Sequence, residues 1–203
     1  PKIIAITGSN GKSTATALAS HVLSKFFSDV EMGGNIGKPV LELSPLKEGS
    51  VRLLELSSYQ IELAKDLAPN IAAFINFSSD HLQRHGGLGG YFYAKARLFL
   101  ENLTDVSVIN IDTAEGLFLF QRLNTVENKM IAISSKLNIK NYFWAVGLKG
   151  SFITEWKKGR QVYSFDLRNL GDSFLSLWES VLTVYALARS FGMAPNSILT
   201  KCS

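Results

Sequence analysis

The chain predicts an α/β fold: a mostly parallel sheet with helices on both faces, joined in the second half by a small antiparallel sheet. Three observations predict it. A short apolar run, Lys2-Ile3-Ile4-Ala5-Ile6, leads through a glycine-containing turn into a stretch where Ala15, Leu18, Ala19, Val22, Leu23 and Phe26 recur at helical spacing. Strand-like runs then alternate with helical stretches through the first half, the rhythm of parallel strands joined by crossover helices. From about Lys129 to Leu167 the texture changes to short aromatic-rich runs separated by glycine turns.

The first turn is Thr7-Gly8-Ser9-Asn10-Gly11-Lys12-Ser13-Thr14. Between a buried strand and a helix, such a turn holds the phosphates of a nucleotide such as ATP. Glycines let the backbone approach, and free N–H groups and the helix dipole face the negative charge. Gly8, Ser9, Asn10, Gly11, Lys12, Ser13 and Thr14 are the predicted nucleotide-binding residues, with Lys12 on the β- and γ-phosphates and the Ser13 hydroxyl on Mg²⁺. The match to the P-loop pattern is incomplete, because Ile6 stands five positions before Gly11, where that pattern has glycine. Gly-Lys-Ser-Thr opening an amphipathic helix outweighs that difference, and the sheet is predicted to be of the P-loop type.

The next strands are Val51-Arg52-Leu53-Leu54-Glu55-Leu56, Ile71-Ala72-Ala73-Phe74-Ile75-Asn76 and Val106-Ser107-Val108-Ile109-Asn110, with a helix from about Gly90 to Asn102. Ligands of such sheets bind at the carboxyl ends of the strands, where Thr7, Glu55, Asn76 and Asn110 fall. The antiparallel group is predicted from Ile131-Ala132-Ile133, Tyr142-Phe143-Trp144-Ala145, Ser151-Phe152-Ile153-Thr154 and Val162-Tyr163-Ser164-Phe165. A long helix follows, capped by Asp172 or Ser173, striped by Phe174, Leu177, Val181, Val184 and Ala188, and ended by Gly192.

Composition narrows the function classes. The 203 residues suffice for a substantial core, and 46% hydrophobic with 19% charged residues is ordinary for a globular protein. A net charge of +4 suits anionic ligands. No arginine-rich block points to nucleic acid, and no apolar run reaches membrane length. One cysteine, Cys202, assigns disulfides no role, which fits a reducing, cytoplasmic setting. The chain starts within a strand and stops soon after Pro195 opens a helix, so a domain of something longer is expected.

Several side chains could carry chemistry. Glu55 is a charge in an apolar strand: either a ligand for the nucleotide's Mg²⁺ or a strand-end glutamate in partial contact with water. Asp80-His81-Leu82-Gln83-Arg84-His85 follows the next strand, where His81 could bind metal or move protons, whereas His21 reads as a surface residue. Gly33-Gly34-Asn35-Ile36-Gly37 is a second glycine-rich turn. Lys95, within Tyr93-Ala94-Lys95-Ala96-Arg97, reads from its helix alone as a solvated lysine, although it flanks the stripe of Phe92, Ala96, Phe99 and Leu103.

Together, Thr-Gly-Ser-Asn-Gly-Lys-Ser-Thr, Gly-Gly-Asn-Ile-Gly, Leu54-Glu55-Leu56-Ser57-Ser58-Tyr59-Gln60, Asp80-His81-Leu82 and Tyr93-Ala94-Lys95 resemble, in order and spacing, the central domain of the Mur ligases. The resemblance covers essentially the whole chain, strongly to about Asp112, and is nearest to the branch that adds D-glutamate. It implies a single central domain over residues 1–203, with flanking domains of the same chain for the UDP moiety and the incoming amino acid, and little activity for this part alone. It implies an ATP-dependent amide-bond ligase of peptidoglycan synthesis that phosphorylates the carboxylate of UDP-N-acetylmuramoyl-L-alanine, D-glutamate then attacking the acyl phosphate. Carried over, Lys12 is catalytic and holds the phosphates, while Ser13 and Glu55 hold one Mg²⁺. His81 and a carbamylated Lys95 hold the second, and Asn35, Ser57 and Gln60 face the UDP-muramoyl substrate. Other Mur-type or folylpolyglutamate-type ligases, or a P-loop ATPase module without ligation, remain open from the residues. The chain departs from the family where a Gly-x-His-Asn-x-x-Asn segment would meet adenine, since Gly171 is followed by Asp172-Ser173-Phe174-Leu175-Ser176-Leu177.

Overall fold

Continuous apolar runs make strands that can be buried on both faces, and the computed structural model, which describes residues 1–79, 85–100, 104–123, 129–136, 138–171 and 173–200, builds one sheet from them. Seven strands run parallel: β1 (Lys2–Thr7), β2 (Val30–Gly34), β3 (Val51–Glu55), β4 (Ile71–Phe74), β5 (Val106–Asn110), β6 (Met130–Ser134) and β7 (Trp144–Lys149). They lie in the order β2-β3-β1-β4-β5-β6-β7. Strands β8 (Phe152–Lys157) and β9 (Arg160–Asp166) continue the sheet antiparallel. The α/β prediction holds, and the antiparallel group extends the main sheet. The run Ile131-Ala132-Ile133, expected within that group, instead pairs parallel with β5, and Trp144-Ala145 opens a strand parallel to β6. Short apolar runs look alike in either direction; the connection before each decides.

Alternation along each strand feeds two cores. Ile4 and Ile6 point to the face carrying α1 (Lys12–Leu23), through Ala15, Ala19 and Val22. The same core takes Val181, Val184 and Ala188 from α6 (Trp178–Ser190), and Ile198 and Leu199 from α7 (Pro195–Leu199). Ala5 and Leu54 belong to the other face, with Ile61 of α2 (Ser58–Leu63), Leu98 and Phe99 of α3 (Leu88–Leu100) and Leu119 of α4 (Ala114–Leu123). The long helix expected after Gly171 is divided. A single turn, α5 (Ser173–Ser176), is followed by Leu177, whose N–H bonds back three residues to Phe174 and whose carbonyl accepts the first bond of α6. The expected cap Asp172 lies outside the described residues, and Gly192, at φ 79°, follows the helix end as expected.

The antiparallel extension is locked to α6 by a buried carboxylate. Glu155 on β8, fully buried, accepts from Tyr185 Oη at 2.7 Å, Arg189 Nε at 2.8 Å and Trp144 Nε1 at 2.9 Å. Burial, then the bond to Glu155, pushes the Tyr185 phenol up and keeps it protonated. Removing Arg189 leaves the buried Glu155 charge with the more distant Lys157 ammonium, 4.0 Å away, so Arg189→Ala should cost about 3 kcal/mol. Chemical denaturation checks this, and a change below about 1 kcal/mol would contradict it.

The strand order turns around β1, which lies between β3 and β4 while its own sequence neighbour β2 lies beyond β3. In register, Ile6 stands beside Glu55 and Thr7 beside Phe74. The ends of β1, β3 and β4 therefore open together at the switch point, where α/β sheets bind ligands.

Candidate active site

The glycine-containing turn after Thr7 leaves β1 at this switch point and enters α1 through Gly11, whose φ of 72° is a left-handed conformation that suits glycine. Lys12 opens the helix and folds its ammonium back over the loop, 3.0 Å from the Ser9 carbonyl. Ser13 and Thr14 are exposed in the first turn. The loop's other side is held by Asn76, just beyond β4. Asn76 Oδ1 accepts from the N–H groups of Ser9 at 3.0 Å and Asn10 at 2.9 Å, and its Nδ2 donates to the Asn10 carbonyl at 3.0 Å. Ser9 Oγ accepts from the Ser78 N–H at 2.9 Å and lies 3.3 Å from Tyr91 Oη.

Glu55 ends β3 with its side chain buried. Its Oε1 accepts from Asn35 Nδ2 at 3.0 Å, and its carbonyl from the Asn35 N–H at 2.8 Å. The second bond requires Gly34: at φ 106°, an added Cβ would stand 2.3 Å from the Glu55 carbonyl oxygen. Glu55 Oε2 is buried with no hydrogen-bond partner. A carboxylate oxygen so placed is costly by itself and suits a cation. That fits Mg²⁺, which binds through one or two protein oxygens, substrate phosphates and water. Among the described residues no three His, Cys, Asp or Glu side chains group as a metal cage.

Lys95 is not the solvated lysine its helix alone suggests. Its side chain is buried, Nζ donates to the Gly8 carbonyl at 2.8 Å, and it lies 4.7 Å from the centre of the Tyr91 ring. Helix α3 thus aims a long side chain across the sheet end at the glycine turn. Asn35, Ser57, Lys12, Ser9, Tyr91 and Lys95 line one cavity of about 160 Å³. Gln60 closes a capping box around Ser57, its Oε1 accepting from the Ser57 N–H at 3.0 Å, so Ser57 rather than Gln60 lines the cavity.

His81, with Asp80 and Arg84, lies outside the described residues. His85 is described, and its side chain is buried. Its Nε2 lies 3.0 Å from Ser58 Oγ and its Nδ1 3.3 Å from Glu62 Oε1, with the ring stacked on Tyr59 at 5.3 Å. It ties α2 to the segment entering α3. His21 is exposed, as expected. Asn76 was legible only as a strand-end residue, and Tyr91 not at all. The spacing Tyr91-x-x-x-Lys95, one helical turn, is the signal that could have joined Tyr91 to the site.

A family profile described as Mur ligase middle domain matches residues 6–174. The chain is 46% identical over 201 residues to UDP-N-acetylmuramoylalanine--D-glutamate ligase of Cereibacter sphaeroides, covering 98% of this chain and 43% of that protein. The protein of the same description from Ruegeria pomeroyi is 43% identical, with 98% of this chain and 43% of its own length covered. Among solved structures, a UDP-N-acetylmuramoyl-L-alanyl-D-glutamate--2,6-diaminopimelate ligase superposes with a TM-score of 0.72 at 25% identity, covering 98% of this chain and 45% of that one. MurF from Acinetobacter baumannii shares the fold, with a TM-score of 0.69 at 17% identity over 99% of this chain and 45% of its own. The chain spans less than half the length of the curated relatives it matches.

Proposed function

The chain belongs to the Mur ligase middle-domain family, and from that premise we propose that it is the ATP-binding domain of a ligase joining D-glutamate to UDP-N-acetylmuramoyl-L-alanine. The observation that carries this reading is the meeting, at one switch point, of a phosphate loop and a buried carboxylate with one oxygen open. The relatives' descriptions support the choice of substrates.

In this reading the substrate carboxylate bonds to the γ-phosphorus of ATP as the β–γ bridge breaks. The D-glutamate amine then bonds to the acyl carbon, losing a proton as phosphate leaves. Lys12, tethered over the loop, swings from the Ser9 carbonyl to the β- and γ-phosphates. Ser13 and Glu55 hold one Mg²⁺, which when bound offsets the charge of the triphosphate and the incoming carboxylate. Asn35 keeps Glu55 oriented by a bond to its other oxygen. Asn35 and Ser57 turn toward the UDP-muramoyl substrate from the cavity wall, with Gln60 bracing Ser57. Lys95, as its carbamate, and His81 would hold a second Mg²⁺. Burial of Lys95 at the sheet end and its reach to the Gly8 carbonyl support this part. Flanking domains of the same chain supply the UDP and D-glutamate sites, so the 203 residues alone should form no amide.

The test is calorimetric titration of ADP into the 203-residue chain with magnesium, with EDTA, and with Glu55→Gln. Chelation is expected to weaken binding by about tenfold or more, and Glu55→Gln to remove most of the magnesium dependence. Equal affinity with magnesium and with EDTA in the unsubstituted chain would contradict the reading.

A further inference from the structure

Asn76 is the joint between the phosphate loop and helix α6. Its Nδ2 donates to the Asn10 carbonyl at 3.0 Å and, with its other hydrogen, to Glu179 Oε2 at 2.8 Å. Its Oδ1 meanwhile accepts from two loop N–H groups. This arrangement works with one orientation of the amide. Turned over, it would set an NH₂ group against the N–H groups of Ser9 and Asn10, and an oxygen against the Asn10 carbonyl and a carboxylate.

Glu179 biases that orientation. An ionised carboxylate only accepts, so it selects the NH₂ side of the amide. It is half-buried in the first turn of α6, where the helix dipole favours negative charge. Its hydrogen bond is charge-assisted, and by polarising the amide it makes Oδ1 a better acceptor for the loop. The loop peptide at Ser9 and Asn10 leads directly into Gly11 and Lys12, whose N–H groups and side chain face the phosphates in the function proposed above.

We propose that Glu179 is a positioning residue for the phosphate loop, acting through Asn76 to set the peptides that present Gly11 and Lys12 to the nucleotide. The inference rests on the nucleotide-binding reading. It means that α6 acts here on the phosphate end of the nucleotide.

Two substitutions separate this role from helix capping. Glu179→Gln removes the charge but keeps an acceptor oxygen, whereas Glu179→Ala removes both. The readouts are the amide ¹H and ¹⁵N signals of Ser9 and Asn10 without nucleotide, the MgADP Kd, and the thermal midpoint. Glu179→Ala is expected to shift both amide signals and to raise the Kd by about 5- to 10-fold, while Glu179→Gln, which keeps an acceptor oxygen but loses the charge, is expected to fall between the native chain and Glu179→Ala in both readouts. Native signals and Kd in Glu179→Ala would overturn the proposal, as would a loss in Glu179→Gln equal to that in Glu179→Ala. A fall in thermal midpoint with unmoved Ser9 and Asn10 signals would assign Glu179 to capping and also overturn it. The amide signals need no nucleotide, so failure of the unsubstituted chain to bind MgADP would count against the nucleotide reading, and the signals would still decide the role of Glu179.

Discussion

Replacing Lys12 with alanine is expected to weaken MgADP binding by about 10- to 100-fold, the worth of a charge-assisted contact to phosphate. The fold should survive, because the Lys12 side chain is partly exposed and its hydrogen bond to the Ser9 carbonyl is local. The loop itself is held from elsewhere, by Asn76 from β4 and by Lys95 from α3. Calorimetry and a thermal scan on the same sample separate the two effects. Near-native affinity in a folded Lys12→Ala chain would mean that the glycine turn does not hold phosphates.

The second large effect is expected at Lys95. In a ligase carrying this domain with its flanking domains, Lys95→Ala should lower turnover by at least tens-fold, the scale at which metal-site partners act. Loss alone would not identify the role, because the substitution also removes the bond to the Gly8 carbonyl and empties a buried volume beside Tyr91. Acetate or another small carboxylate discriminates. It can replace a carbamate's oxygens but cannot donate to Gly8, so partial rescue is expected if Lys95 acts as its carbamate. Full loss with no rescue by any small carboxylate would leave Lys95 as a tether of the loop. Near-normal turnover would remove it from the site altogether.

Much of this site was legible in the sequence because its signals are local. A β-branched run, a glycine turn and Gly-Lys-Ser-Thr at the head of an amphipathic helix lie within about two dozen residues, and each restricts the others. Glu55 was legible as a charge where a strand should be apolar. What the sequence hid depends on register and crossing. Nothing near Lys95 says that α3 lies so that this side chain reaches the Gly8 carbonyl, 87 residues away in sequence. The tie between Asn76 and Glu179 spans 103 residues and joins two elements that are unremarkable alone. The direction of Ile131-Ala132-Ile133 was misjudged for a similar reason: parallel and antiparallel strands share one side-chain alternation, and their hydrogen-bond partners are not written in it. The division between α5 and α6 falls at Leu177, an exposed leucine on the expected stripe, where periodicity continues although the helix does not.

The most direct measurement is phosphate release from ATP by the full-length protein that carries this domain, with UDP-N-acetylmuramoyl-L-alanine and D-glutamate supplied singly and together. The account predicts release that requires both, in step with formation of the amide product and abolished by Lys12→Ala. Release at an unchanged rate with ATP alone, or with L-glutamate in place of D-glutamate, would contradict it.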